Sequence, residues 1–256
     1  MGDALRFEWV RLRTLRSTYW LIGSALVLNV AIALLVASLA ADPTVDVVAA
    51  AVTGGGANAP VPMAVVLLAV VGVFASGHEY RYGTIQPTLT TVPLRGLLFA
   101  AKVLVVGLTA LVVTVVSVSL NVAATMPFWA DTPSLTDVTV IGYVLLAVLW
   151  AVVGVALGQL LRGVPGALVV LLVTPMIVEQ LVFRLSYVPA LDWLHPAVRF
   201  LPFTAGLQLV SAAGEASGGL ASEVGLFGRW GSATVFAVFV AAVLAAAVTL
   251  FRRRDA

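Results

Sequence analysis

"VPMAVVLLAVVGVFASGHEYRYGTIQPTL", residues Val61 to Leu89, begins as hydrocarbon and ends as something else. From Val61 to Ala75 no side chain is polar. His78, Glu79 and Arg81 then arrive together with Tyr80 and Tyr82. A threonine-rich run follows, and the chain returns to hydrocarbon at Leu97. In a soluble protein the first part could be one buried helix among many, but the whole chain excludes that reading. Of its 256 residues 61% are hydrophobic and 10% charged, and the mean hydropathy is +1.10. Ordinary soluble domains are roughly 45–50% apolar, and a chain of this size could not bury so much apolar surface and still be coated in charge. Uncharged stretches of about 20 residues, about 30 Å long as helices, match the hydrocarbon core of a bilayer. The sequence therefore predicts an all-α, polytopic membrane protein forming a single transmembrane domain over residues 1–256.

Six spans are predicted, at Tyr19–Ala41, Pro60–Ser76, Leu97–Met126, Val138–Leu161, Val164–Phe183 and Ser232–Phe251. The third is longer than a bilayer requires, so it tilts or projects. Pro and Gly punctuate the joints in "ADPTVD", "TGGGANAP", "MPFWADTPSLTD" and "RGVPG". Tyr19, Trp20, Trp129, Trp193 and Trp230 fall near span ends, where interfacial aromatics belong. One set of loops holds Arg6, Arg11, Arg13, Arg16, Arg81, Arg95, Lys102, Arg162, Arg252, Arg253 and Arg254, while the opposite set holds only Arg184, Arg199 and Arg229. Eleven basic residues against three is a positive-inside bias, so both termini are expected in the cytoplasm. The arginine-rich start precedes an apolar run too long for a signal core, so no cleavable signal peptide is expected.

Two segments are not expected to span. Within residues 1–18, Leu5, Trp9, Leu12 and Leu15 share one helical face, with Arg6, Arg11, Arg13 and Arg16 around or beyond it. That spacing describes an interfacial helix whose arginines reach lipid phosphates, and a plain positive-inside anchor is compatible with it. Residues 184–231 are too apolar at first for a solvated loop and too broken by Pro189, Pro196 and Pro202 to cross. Short re-entrant helices on the outer side fit the first half, and "GEASGGLASEVG" reads as an exposed loop. Gly154 and Gly158 form a G-x-x-x-G pair in the fourth span, expected to serve packing within the chain.

Much chemistry is absent. There are no cysteines, and the only lysine, Lys102, follows Ala100 and Ala101, so no phosphate-cradling G-x-x-x-x-G-K-[ST] loop exists. His78 and His195 fall on opposite sides of the predicted membrane and cannot share a metal. The residues offer no catalytic group, no metal site and no basic surface for nucleic acid. Glu179 is the one ionisable residue read as lying well inside a span, and the core is otherwise expected to be uncharged. It either snorkels outward or pairs with Arg184, or it lines a substrate path. A carrier driven by an ion gradient usually binds that ion near mid-membrane. Energy for any transport is therefore expected from a partner.

The loop of residues 77–96 is the shaped part of the chain. A hairpin between spans needs only a few residues, yet this one has twenty. It contains a turn glycine, Gly83, a capping Thr84 before a short helix, and the breaks Pro87 and Pro93. With Glu79, Arg81, Gly83–Thr84, Leu89, Pro93, Arg95 and Lys102 in that order, the loop resembles that of the permease subunits of ABC-2 type transporters. The opening "EWVRLRTLRSTYW" is similar to the first interfacial helix of small actinobacterial-style members.

That resemblance implies an ABC-2 exporter fold in a bacterial cytoplasmic membrane, with the 77–96 loop as a cytoplasmic coupling helix docked on a separate ATPase. Two ATPase copies and a second permease, normally an identical one, complete such a machine, and ATP and Mg are bound by the ATPase rather than by this chain. Glu79 and Arg81 would anchor the loop to the interfacial helix or to the ATPase. Tyr80 and Tyr82 would pack at the junction, His78 would belong to the same coupling set, and Thr84 to Thr91 would form the docking surface. The uncharged spans point to an amphipathic or hydrophobic cargo such as a drug, peptide antibiotic or lipid. A scaffold or sensor that binds the ATPase without a transport path is the alternative, and a secondary carrier a weaker one.

Overall fold

A backbone immersed in hydrocarbon finds no hydrogen-bond partner but itself, so long runs of Ala, Val and Leu close into helices. The computed structural model describes residues 1–40, 44–55, 61–91, 94–129, 137–210 and 227–253, and among these no strand occurs. Six helices are long and apolar enough to cross a bilayer. They are α2 (Arg16–Leu39), α4 (Met63–Arg81), α6 (Arg95–Thr125), α7 (Asp137–Leu160), α8 (Val164–Leu185) and α11 (Arg229–Arg253). Each matches a predicted span; the predicted boundaries at Ala41 and Pro60 lie outside the described residues. Between them sit α1 (Gly2–Thr14), α3 (Val45–Thr53), α5 (Ile85–Thr91), α9 (His195–Val198) and α10 (Pro202–Leu207).

Helices α4 and α7 form the centre. Two-thirds of the apolar window of each is buried, against about a fifth for α2, α8 and α11. Small residues let them approach. A Cβ on Gly72 would run into the carbonyl of Ala151, and one on Gly154 into that of Ala69. Gly158 sits close on Val73 and Ser76, though less tightly, so the G-x-x-x-G pair is spent on packing inside the chain. Helix α2 turns a face of Thr18, Ala25, Asn29, Ala33 and Ala37 toward this centre. Helix α6 has 31 residues and spans roughly 46 Å, more than a hydrocarbon core needs.

The short helix α3 departs from expectation. The "ADPTVD" to "TGGGANAP" region reads as loop, yet Val48, Ala49, Ala51, Val52 and Thr53 are all buried. Nine residues are too few to register as a span, and apolar enough to pack beside α2 and α6. The helix stops at Gly54, whose φ of +63° is the left-handed conformation that glycine adopts without strain. Its end is held from within the bundle. Asn121 donates to the Val52 carbonyl at 2.8 Å, and the Asn29 side chain lies against Gly54. Asn29 also donates to Ser117 Oγ at 2.5 Å. Trp129, expected in an interfacial belt, is instead buried against α3 and Ala37. Tyr19, Trp20, Trp193 and Trp230 are exposed, as a belt requires.

After α8 the expected short helices are present through Val210; the rest of the 184–231 stretch, including "GEASGGLASEVG", lies outside the described residues. Helix α10 is buried at Phe203, Thr204, Ala205 and Gly206. Phe203 packs edge-on to Trp150 at 4.9 Å and beside Phe236 and Phe239.

Candidate functional site

Helix α1, expected at the membrane interface, buries Ala4, Glu8 and Leu12, three residues at four-residue spacing and hence one stripe. Trp9 is 44% exposed. The buried face is therefore rotated by roughly 45° from the expected Leu5–Trp9–Leu12–Leu15 face; Leu12 belongs to both, and Leu5 still packs partly against the core. Glu8 explains the rotation, because a carboxylate here has cations to meet.

Those cations are Lys102 and Arg11. Lys102, in the second turn of α6, is 1% exposed, and its Nζ lies 2.8 Å from Glu8 Oε1 and 2.6 Å from Glu79 Oε1. Arg11 pairs with Glu8 Oε2 at 2.9 Å, with Glu79 Oε1, and donates to the Ala75 carbonyl. Burial pulls the pKa of Arg11 below its ordinary value, and the carboxylate of Glu8 opposes the shift. Two carboxylates thus face two cations, so the formal charges balance; Glu8, Glu79 and Lys102 are buried, and Arg11 keeps a fifth of its side chain exposed. It joins segments 68 and 94 residues apart in sequence. This overturns the expectation of an uncharged core in which Glu179 stands alone, and it takes Arg11 from the lipid face to the interior.

Glu79 is two residues from the end of α4, and α5 begins six residues after it. The chain turns between them at Gly83, whose φ is +67°, as the loop reading requires. The Thr84 carbonyl then accepts the Thr88 amide at 3.1 Å and opens the short helix. Ile85 and Thr88 face inward, while Gln86, Pro87 and Thr90 are exposed. A hollow of about 330 Å³ lies where α1, α4 and α5 meet, walled by Phe7, Phe74, His78, Tyr82 and Thr88, with Arg11 and Glu79 of the cluster also on its lining.

The remaining loop residues divide by role. His78 stacks on Phe74 at 4.3 Å and meets the edge of Tyr82 at 5.6 Å. Tyr80 points the other way: Gln159 donates to its hydroxyl and Arg162 lies over its ring. Arg81 is exposed, with its guanidinium over Tyr82. Arg95 belongs to a different contact, since its Nη1 donates to the Phe251 carbonyl at 3.1 Å and ties α6 to the end of α11. Pro93 and the side chain of Leu89 lie outside the described residues. Arg6, Arg13 and Arg16 are exposed, Arg13 over the ring of Trp9.

Glu179 occupies another place than the one expected. Fully buried after a π-helical turn, Thr174–Val178, it accepts bonds from Phe203 N at 3.0 Å, Thr204 N at 2.6 Å and Thr204 Oγ1 at 2.8 Å. Its carboxylate caps the start of α10, where amides otherwise lack partners. It neither snorkels nor pairs with Arg184 among the described residues.

Glu8, Asn29, Ser117 and Asn121 escaped the sequence reading. Glu8 stood one turn from Arg11 on a stripe with Ala4 and Leu12, and Ser117 and Asn121 are four residues apart in an apolar span. Those spacings were the available signals. No protein-family model matches the chain, and no curated protein matches it.

Proposed function

We propose that the chain is the membrane-spanning permease subunit of an ATP-driven ABC-2 type exporter, which moves an amphipathic or hydrophobic cargo with energy from a separate ATPase. The observation that carries the reading is the buried cluster of Glu8, Arg11, Glu79 and Lys102 directly behind a short exposed helix. Isolated membrane-embedded charges are costly. A charge-balanced, largely buried set of four at one helix junction makes mechanical sense if force enters there.

On this reading the ATPase grips Gln86, Pro87 and Thr90 of α5, with Arg81 and Tyr82 at the rim. Ile85 and Thr88 pass its movement inward. The cluster makes the ends of α1, α4 and α6 move as one body, and the tight α4–α7 contact spreads that movement through the centre. Glu79 holds the joint to its own chain and Arg81 faces the partner. ATP and Mg reside on the ATPase, and a second permease copy completes the path. The opposite end opens where α10 lies over Trp150.

Reconstitution with an ATPase encoded beside this chain tests the proposal. Cargo-stimulated ATP hydrolysis and cargo movement are expected. A Gln86→Glu, Thr90→Glu pair alters only exposed side chains and should abolish stimulation without lowering Tm. A Glu79→Ala, Gly83→Pro pair should abolish it as well, since proline cannot adopt a positive φ. Undiminished pull-down and stimulation in both pairs would sink the reading. Binding of the ATPase without transport of any amphiphile would favour a scaffold instead.

A further inference from the structure

One face of α2 is bare from its first turn. Nothing lies within 4 Å of where a Cβ on Gly23 would stand. With Tyr19, Trp20, Ser24, Val27 and Leu28 it frames an apolar hollow of about 630 Å³. Trp20 is 75% and Val27 68% exposed. Arg16, Trp20, Gly23 and Val27 recur at three- or four-residue spacing and so form one stripe. Arg16 heads it, exposed and in no ion pair among the described residues.

Along the stripe the order is cation, aromatic, notch, hydrocarbon. The notch lies seven residues below Arg16, about 10 Å along the axis. We propose that the hollow binds one phospholipid, with an acyl chain in the Gly23 notch and an anionic headgroup phosphate on Arg16. Arginine's planar fork suits phosphate. A second copy of the chain is a poorer occupant. Two copies share one orientation in a membrane, so a symmetric contact along this stripe would set each Arg16 against its counterpart, a repulsive arrangement. The inference rests on the membrane reading and not on ATPase coupling.

Native mass spectrometry of the detergent-purified full chain tests it, with dioleoyl phosphatidylglycerol or dioleoyl phosphatidylcholine added. One retained lipid is expected, with the glycerol lipid preferred about fivefold, the effect of one basic residue near a headgroup. Arg16→Gln should erase that preference and leave choline-lipid retention intact. Gly23→Trp should fill the notch and lose both lipids, with Tm unchanged because the site is open. Equal retention of the two lipids by the natural chain overturns the proposal. So does a Gly23→Trp variant that keeps its lipid but changes its oligomeric mass, which would give the hollow to a second copy.

Discussion

Replacing Lys102 by methionine keeps most of the side chain's volume and removes one charge from a cluster of four. Lys102 bridges Glu8 and Glu79 at 2.8 and 2.6 Å with none of its side chain exposed. Its loss leaves two buried carboxylates sharing Arg11 alone. Breaking a buried pair from one side costs about 3–5 kcal/mol, because the abandoned charge stays in a poor solvent. Removing a charge of each sign with Lys102→Met and Glu79→Gln restores neutrality. That double variant should recover at least half of the loss, since replacing buried ion pairs by uncharged groups is often neutral or stabilising. The assay is thermal unfolding of the detergent-purified chain, followed by the size-exclusion peak of the folded form. At about 2–4 °C per kcal/mol for a chain of this size, the single variant should melt roughly 6–20 °C lower. A negative coupling between the two changes is the decisive reading. A single variant as stable as the natural chain, or a double variant whose loss is the sum of the two singles, would refute the cluster as a linked unit.

Two further outcomes follow from the other buried contacts. Glu179→Ala strips three donors of their acceptor and should loosen α10, each abandoned bond to a charged group being worth about 1.5–3 kcal/mol. Because the chain has no cysteine, Ala205→Cys is a single reporter there, and its maleimide labelling should rise several-fold in the Glu179→Ala background; unchanged labelling would refute the cap. Gly154→Ala drives a methyl into the Ala69 carbonyl and should cost about 1–3 kcal/mol as an overpacked contact, whereas Gly23→Ala on the open face of α2 should leave Tm unchanged.

The six spans were legible because hydrocarbon solvation acts on each segment separately: twenty uncharged residues need a bilayer wherever they occur. The turn at Gly83 and the short helix after it were legible for a related reason, since turn chemistry is local. Helix α3 was not, because nine mostly apolar residues are too short to register as a span and gain their place from other segments, through Asn29, Asn121 and packing on Ala37 and Trp129. Glu179 showed the same limit. Its sequence neighbours offered Arg184 as a partner, while the donors it meets come from Phe203 and Thr204, more than twenty residues away.

By itself, then, the sequence determined an all-helical chain with six apolar helices, a concentration of arginine at alternate joints, and a shaped loop after Glu79. These depend on composition and on periodicities within one helix. Only the tertiary structure decided that Glu8, Arg11, Glu79 and Lys102 form one neutral cluster, that Arg81 is left outside it, and that Arg95 serves the last helix. A charge can be buried only where its counter-charge arrives at the same depth, and that coincidence belongs to how α1, α4 and α6 cross rather than to any of them alone.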